Sequence, residues 1–279
     1  MHRQAGFVAS CCLLAVALAG CSSHSVPDAS PSAAAPNAAA IAPEAAVAAA
    51  PADQTVPAWA QGAVITHVPV APTDKVFALT FDDGPWPHST EQMLQVLADN
   101  NVKATFFMVG REAKRRPQVA QAVLAAGMAI GNHSWDHPSK PKQPVQQVED
   151  TNDELEKALG FRPTMFRPPY GIVTNGMARQ AIKDHQAVIL WNCSAADWDK
   201  PGAGSIASMT IAQARPGGIA LLHDGGGDRS QTIEAVTRTI RELRAKGYRF
   251  VTIPELLRLR QAGVKAPEVD QKLTKKAGG

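Results

Sequence analysis

The sequence predicts an α/β domain built on a mostly parallel sheet, and three observations carry that prediction. Between Val64 and Ala262, short apolar, β-branched or aromatic runs alternate with longer stretches of helical period, the order that builds a parallel sheet. The runs are near-continuously apolar, as strands buried on both faces are. Each unusual polar cluster falls at the carboxyl end of such a run, where α/β folds gather ligand chemistry. A closed barrel and an open doubly wound sheet satisfy all three.

The elements follow in chain order. "MHRQAGFVASCCLLAVALAGC" carries Arg3, an apolar run from Phe7 to Ala19 and small residues ahead of Cys21. It is too short for a good bilayer-spanning helix and has the build of an export signal. Its last four residues, Leu18 to Cys21, resemble the lipobox of bacterial lipoproteins. The resemblance implies a signal peptide over 1–20, lipid on Cys21, and an exported lipoprotein anchored in a membrane of the cell envelope, on its periplasmic or outer side. Residues 21–60 are dominated by Ala, Pro and Ser, with prolines at 27, 31, 36, 43, 51 and 57. Proline at that frequency breaks any Ala-rich helix, and large apolar residues are too few to bury a core, so the segment reads as a tether. The folded domain is then expected over 61–262, with a polar, lysine-bearing tail over 263–279.

Seven strand candidates lie in that domain: Val76–Phe81, Lys103–Val109, Met128–Asn132, Thr164–Arg167, Ala187–Asn192, Gly218–His223 and Arg249–Ile253. Amphipathic stretches between them predict helices over Thr90–Asp99, Arg111–Ala126, Val145–Leu159, Asn175–Asp184, Ser205–Ala214 and Gln231–Lys246. Pro254 opens a last short helix, as proline does in a first turn. With Cys11 and Cys12 removed and Cys21 lipidated, Cys193 stands alone and no intradomain disulfide is possible. It ends the run "AVILWN" and reads as a small buried residue rather than a nucleophile.

Composition also excludes. The formal charge of +3 is small, and the basic residues recur along helical stretches such as "TRTIRELRAKG" rather than forming a phosphate track, which argues against nucleic acid. "HDGGGDR" follows a strand but lacks the G-x-G-x-x-G spacing of a dinucleotide site. A monomer is expected.

Five polar clusters at strand ends would converge on one mouth. Asp82 and Asp83 stand side by side, an arrangement that disfavours ionisation of both unless a cation or a working proton offsets it. His133 and His137 are four apart, and on one helical turn both imidazoles would face the same side. Two histidines and one carboxylate form a set that leaves coordination positions open, the catalytic pattern for zinc. Cobalt, nickel and manganese suit the same donors.

The series "TFDDGP" (Thr80–Pro85), "HSWDH" (His133–His137), "RPPYG" (Arg167–Gly171), "SAADW" (Ser194–Trp198) and "LLH" (Leu221–His223) resembles the polysaccharide deacetylase family, the NodB homology domain or carbohydrate esterase family 4. The resemblance implies a distorted (β/α) barrel of about seven parallel strands and a metal-dependent N-deacetylase acting on N-acetylhexosamine units of an envelope or extracellular polysaccharide. It further implies Asp83, His133 and His137 as ligands to a divalent metal, zinc first. Asp82 would be the general base, Arg167 its holder, Tyr170 the oxyanion donor through its backbone N–H, and His223 the general acid. Leu221 and Trp198 would line the acetyl pocket, and Trp86 and Trp135 are candidates for sugar stacking. One position departs from the pattern: Ser194 stands where the family's fourth motif usually begins with Asp, thought to partner the acid histidine. That substitution predicts a His223 left near its unperturbed pKa, unless Asp197 or Asp224, both within a few residues of the site, supplies the missing charge. Two other readings compete with the deacetylase: a small-molecule C–N hydrolase of the same fold, and a catalytically silent glycan-binding lipoprotein.

Overall fold

A computed structural model describes residues 53–261 and 263. The signal segment, Cys21, the tether up to residue 52 and the tail from 264 lie outside the described residues.

In chain order the elements are β1 (Val64–Ile65), β2 (Val76–Asp82), α1 (Ser89–Asp99), β3 (Thr105–Met108), α2 (Gly110–Arg115), α3 (Pro117–Ala125), β4 (Ala129–Asn132), α4 (Pro144–Leu159) and β5 (Met165–Phe166). Then come α5 (Met177–Lys183), β6 (Ala187–Ile189), β7 (Cys193–Ser194), α6 (Ala203–Gln213), β8 (Gly218–His223), α7 (Ser230–Ala245), β9 (Arg249–Phe250) and α8 (Ile253–Arg258). Every strand pairing is parallel, in the order β1-β6-β5-β4-β3-β2-β8-β7, with β9 beside the start of β2. Among the described residues no pairing joins β1 to β7, so the barrel is distorted and open.

Nine strands replace the expected seven. The two additional strands among the described residues, β1 and β7, are two residues each, like β5 and β9. The single predicted helix over Arg111–Ala126 is two helices. Pro117 excludes its predecessor from the helical region, and Arg116 sits at φ −138°, ψ 56°. Residues 53–60, assigned to the tether by composition, belong to the packed domain. The Gln54 side chain donates to the Met128 carbonyl at 3.0 Å and accepts from the Ile130 N–H at 2.8 Å, while Val56 and Ala60 are buried.

β2 is the pivot of the sheet, and all seven of its residues are buried. Phe77, Leu79 and Phe81 pack on one face with Met93, Leu97 and Val236 from α1 and α7. Val76 and Ala78 pack on the other with Ile65, Phe107 and Ile189. Each fully buried Phe or Leu is worth about 1.5–3 kcal/mol, so the strand that ends in Asp82, with Asp83 next to it, is held from both faces. Thr252 caps α8 by accepting from the Glu255 N–H while the Glu255 carboxylate accepts from the Thr252 N–H, with Pro254 in the first turn. Among the described residues, no helix is long and apolar enough to cross a membrane.

Candidate active site

Strand register brings the polar clusters to one level. Asp82 pairs with His223 across β2 and β8 and with Phe107 across β2 and β3, and Asn132 pairs with Met108 and Phe166. His133 follows Asn132 and Arg167 follows Phe166, so groups from β2, β4, β5 and β8 meet at the carboxyl mouth of the sheet.

Asp83, His133 and His137 place one ligand atom each within 4.8 Å of one another. The two histidines do not ride on a helical turn, as their spacing suggested. They come from a loop after β4 in which Ser134 (φ 67°) and His137 (φ 60°) are left-handed. The loop is held by the Asn132 side chain accepting from the Ser134 N–H at 2.7 Å and by Ser134 Oγ accepting from the His137 N–H at 3.1 Å. His133 Nδ1 lies 2.7 Å from the carbonyl of Arg167, so its proton goes there and Nε2 is left with a lone pair. Burial, with His137 beside it, pushes the His133 pKa down to about 3, and the ring is neutral. Asp83 Oδ1 lies 3.6 Å from His133 Nε2 and 3.5 Å from His137 Nε2, and it is a buried atom with no hydrogen-bond donor. An orphaned carboxylate oxygen facing a neutral imidazole lone pair is a donor set that fits a divalent cation.

Asp82 Oδ2 also lies 3.6 Å from His133 Nε2, but its other oxygen has a partner that Asp83 lacks. Its Oδ1 accepts from Arg167 Nη1 at 2.7 Å, and both side chains are buried. Arg167 also donates to Thr80 Oγ1 at 2.6 Å, to the Ile189 carbonyl at 3.1 Å and to the Leu190 carbonyl at 3.2 Å, and its guanidinium lies 4.1 Å from the Phe107 ring centroid. Burial pushes the Asp82 carboxyl above its ordinary range, although Arg167 pulls it down.

His223 has its own carboxylate, which is not at position 194. Asp197 Oδ1 lies 2.8 Å from His223 Nδ1, and Asp197 Oδ2 accepts from the His223 N–H and from Thr232 Oγ1, both at 2.9 Å. Burial lowers the histidine pKa, but the Asp197 hydrogen bond and charge, with Asp82 and Asp83 nearby, raise it overall. Ser194 lies on β7 opposite Leu221, where its backbone exchanges hydrogen bonds with the Gln213 side chain. The expectation of an under-tuned His223 is therefore overturned: the next turn, Asp197–Asp199, carries the partner.

The groups line one cleft of about 680 Å³. Tyr170 stands at φ 57° in the turn Pro169–Gly171, its side chain exposed and its ring 4.6 Å from that of His137. Trp198 lies edge-on to His223 at 5.6 Å, and Leu221 lies in the wall. Trp86 also lines the cleft. Trp135 packs against Gly110, where a Cβ would stand 2.7 Å from its ring. Cys193 is buried, and its thiol is pushed up to about 12 by burial, which suits packing and not nucleophilic attack.

A sequence profile described as "Polysaccharide deacetylase" matches residues 70–189. A peptidoglycan-N-acetylglucosamine deacetylase of Bacillus cereus is 40% identical over 192 residues, 66% of this chain and 89% of that protein. The chain belongs to the polysaccharide deacetylase family. A chitooligosaccharide deacetylase of Sinorhizobium fredii is 34% identical over 192 residues, 63% of this chain and 89% of that protein. The crystal structure of a peptidoglycan N-acetylglucosamine deacetylase in complex with 4-naphthalen-1-yl-N-oxidanyl-benzamide superposes with a TM-score of 0.65 at 31% identity. It covers 70% of this chain and 92% of the other.

Sequence reasoning missed part of this deacetylase cleft. Trp191 was read as strand and Arg111, Glu112 and Arg229 as helix or turn residues, yet all four line it. Only the position of Arg229 after the "LLHD" strand end hinted at this.

Proposed function

We propose that the protein is a metal-dependent N-deacetylase that hydrolyses the N-acetyl amide of N-acetylhexosamine units in an envelope or extracellular polysaccharide. The observation that carries this reading is the division between two adjacent carboxylates: Asp83 Oδ1 lies by two imidazoles, whereas Asp82 gives Oδ1 to Arg167 and brings only Oδ2 to His133 Nε2, at 3.6 Å. Relatives named for peptidoglycan and for chitooligosaccharides support the substrate class.

Asp83, His133 and His137 would hold the cation, zinc first among zinc, cobalt, nickel and manganese. When bound, a divalent metal supplies Lewis-acid polarisation and lowers the pKa of water. Asp82 takes the proton of the attacking water, and its upward pKa brings it closer to the range of an effective base. Arg167 fixes which carboxylate oxygen faces the cleft. The Tyr170 N–H donates to the developing oxyanion, a contact worth about 3 kcal/mol. His223 protonates the departing amine, with Asp197 holding its Nδ1 proton so that Nε2 serves the cleft. Leu221 and Trp198 enclose the acetyl methyl.

Acetate release from N-acetylglucosamine oligomers and from peptidoglycan tests the reading. Release should stop with chelator and return with added zinc or cobalt. Asp83→Ala should lose metal and turnover together, while Asp82→Asn should keep metal and lose at least about 100-fold in turnover. No acetate from any N-acetylated glycan would overturn the deacetylase, and equal metal loss in both variants would overturn the division of labour.

The "LAGC" sequence supports a further proposal, that lipid on Cys21 anchors the enzyme in the cell envelope. Wild type should partition with membranes, and Cys21→Ser should be found soluble or unprocessed in the same compartment. Identical partitioning would remove the anchor.

A further inference from the structure

Most charges of the cleft are matched. Asp82 is paired with Arg167, Asp197 with His223, and Asp83 faces two imidazoles. Buried Asp224 keeps one oxygen without a partner, and two groups with spare positive charge flank the loop after β2. On one side Glu112, itself buried, is shared by Arg111 at 3.3 Å, Arg115 at 3.0 Å and Arg116. Three guanidinium groups on one carboxylate leave cationic excess. Arg116 also reaches the Pro85 carbonyl at 3.5 Å and lies 5.5 Å from the Trp86 ring, which ties the cluster to the loop that follows Asp83.

On the other side is Arg229, only 6% exposed. Its Nε donates to the Gly225 carbonyl at 2.6 Å. Its two Nη groups make no hydrogen bond or ion pair among the described residues, and the side chain lines the cleft. It lies against the reaction centre: a Cβ on Gly226 would stand 2.7 Å from Asp83 Oδ2 and 3.3 Å from Arg229 Nη2. Arg229 also stands at the N-cap position of α7, without a side-chain cap, where the helix dipole is positive and disfavours a cation. The Nη donors are free toward the cleft, with the Asp83 carboxylate nearby but not in ion-pair contact. An anion entering the cleft would meet that fork of Nη donors.

We infer that Arg229, with Arg111 across the loop, forms an anion subsite that receives a carboxylate carried by the glycan. This rests on the deacetylase reading and narrows it: the substrate is an acidic N-acetylated polysaccharide, and the carboxylate sets how the chain lies over Asp82 and Asp83. Arg111 is half exposed and paired with Glu112, so it contributes less than Arg229.

The test is calorimetric binding of peptide-free oligomers of alternating N-acetylglucosamine and N-acetylmuramic acid, against the same oligomers with their carboxylates converted to amides. Wild type should prefer the acid form by about tenfold at low salt, the scale of one charge-assisted contact, and the preference should shrink as salt rises. Arg229→Gln should abolish the preference, Arg229→Lys should keep part of it, and Arg111→Gln should reduce it without threatening the fold. Equal binding of acid and amide forms by wild type, or a preference unchanged in folded Arg229→Gln, overturns the inference. A third overturning result is that free acetate displaces the acid oligomer from wild type as well as it displaces the amide. The site would then serve the released product. Binding with the expected preference but no acetate release would sink the deacetylase and leave the subsite standing.

Discussion

Asp82 and Asp197 are both buried carboxylates held against a basic side chain, one on each side of the cleft, and they are tuned in opposite directions. Burial pushes both upward. At Asp82 it prevails over Arg167, whose single Nη1 contact at 2.7 Å is the one hydrogen bond the carboxylate accepts among the described residues. At Asp197 it loses to three hydrogen bonds, from His223 Nδ1, the His223 N–H and Thr232 Oγ1, and the carboxyl lies below its usual range. The extra donors at Asp197 add to the charge of His223, whereas Asp82 has one donor to set against its burial. The consequence is functional. A carboxyl pushed upward is a better proton acceptor near neutral pH, whereas one held down remains an anion and keeps its histidine charged.

Removing Arg167 should have the largest effect. Arg167→Met leaves Asp82 buried without its partner and frees the Ile189 and Leu190 carbonyls, so a stability loss of about 3–5 kcal/mol is expected in urea unfolding. A loss within about 1 kcal/mol would mean that Asp82 is neutral when Arg167 is absent, and the comparison would need a protonated Asp82 at its centre.

Asp197→Asn sharpens the other side. Asparagine preserves an acceptor but not the charge that raises His223. The acid must be protonated to work, so the alkaline limb of the turnover profile should move to lower pH. An unmoved limb would show that Asp82 and Asp83, not Asp197, hold the histidine charged.

Ser194→Asp should do least. The new carboxylate would stand by Gln213 on β7, while Nδ1 of His223 is already committed to Asp197. The alkaline limb should stay where it is, and an upward shift would reinstate position 194 as the tuning site.

Much of this was legible in the chain. Period and apolar runs located β2, β3, β4 and β8 because strands buried on both faces leave near-continuous hydrophobic sequence. The same carboxyl-end rule collected Asp82, Asp83, His133, His137, Arg167 and His223. What the chain did not reveal has a common cause. A two-residue strand such as β1 or β7, the packing of Gln54 against β4, the left-handed loop that turns His133 and His137 together, and the choice of Asp197 over Ser194 all depend on partners distant in sequence. Local pattern determined which residues carry chemistry and at which strand ends. Only the tertiary structure decided that His223 meets Asp197 rather than Asp224 or position 194, because a hydrogen bond of 2.8 Å is set by strand register and loop conformation, and neither is written in the spacing of residues along the chain.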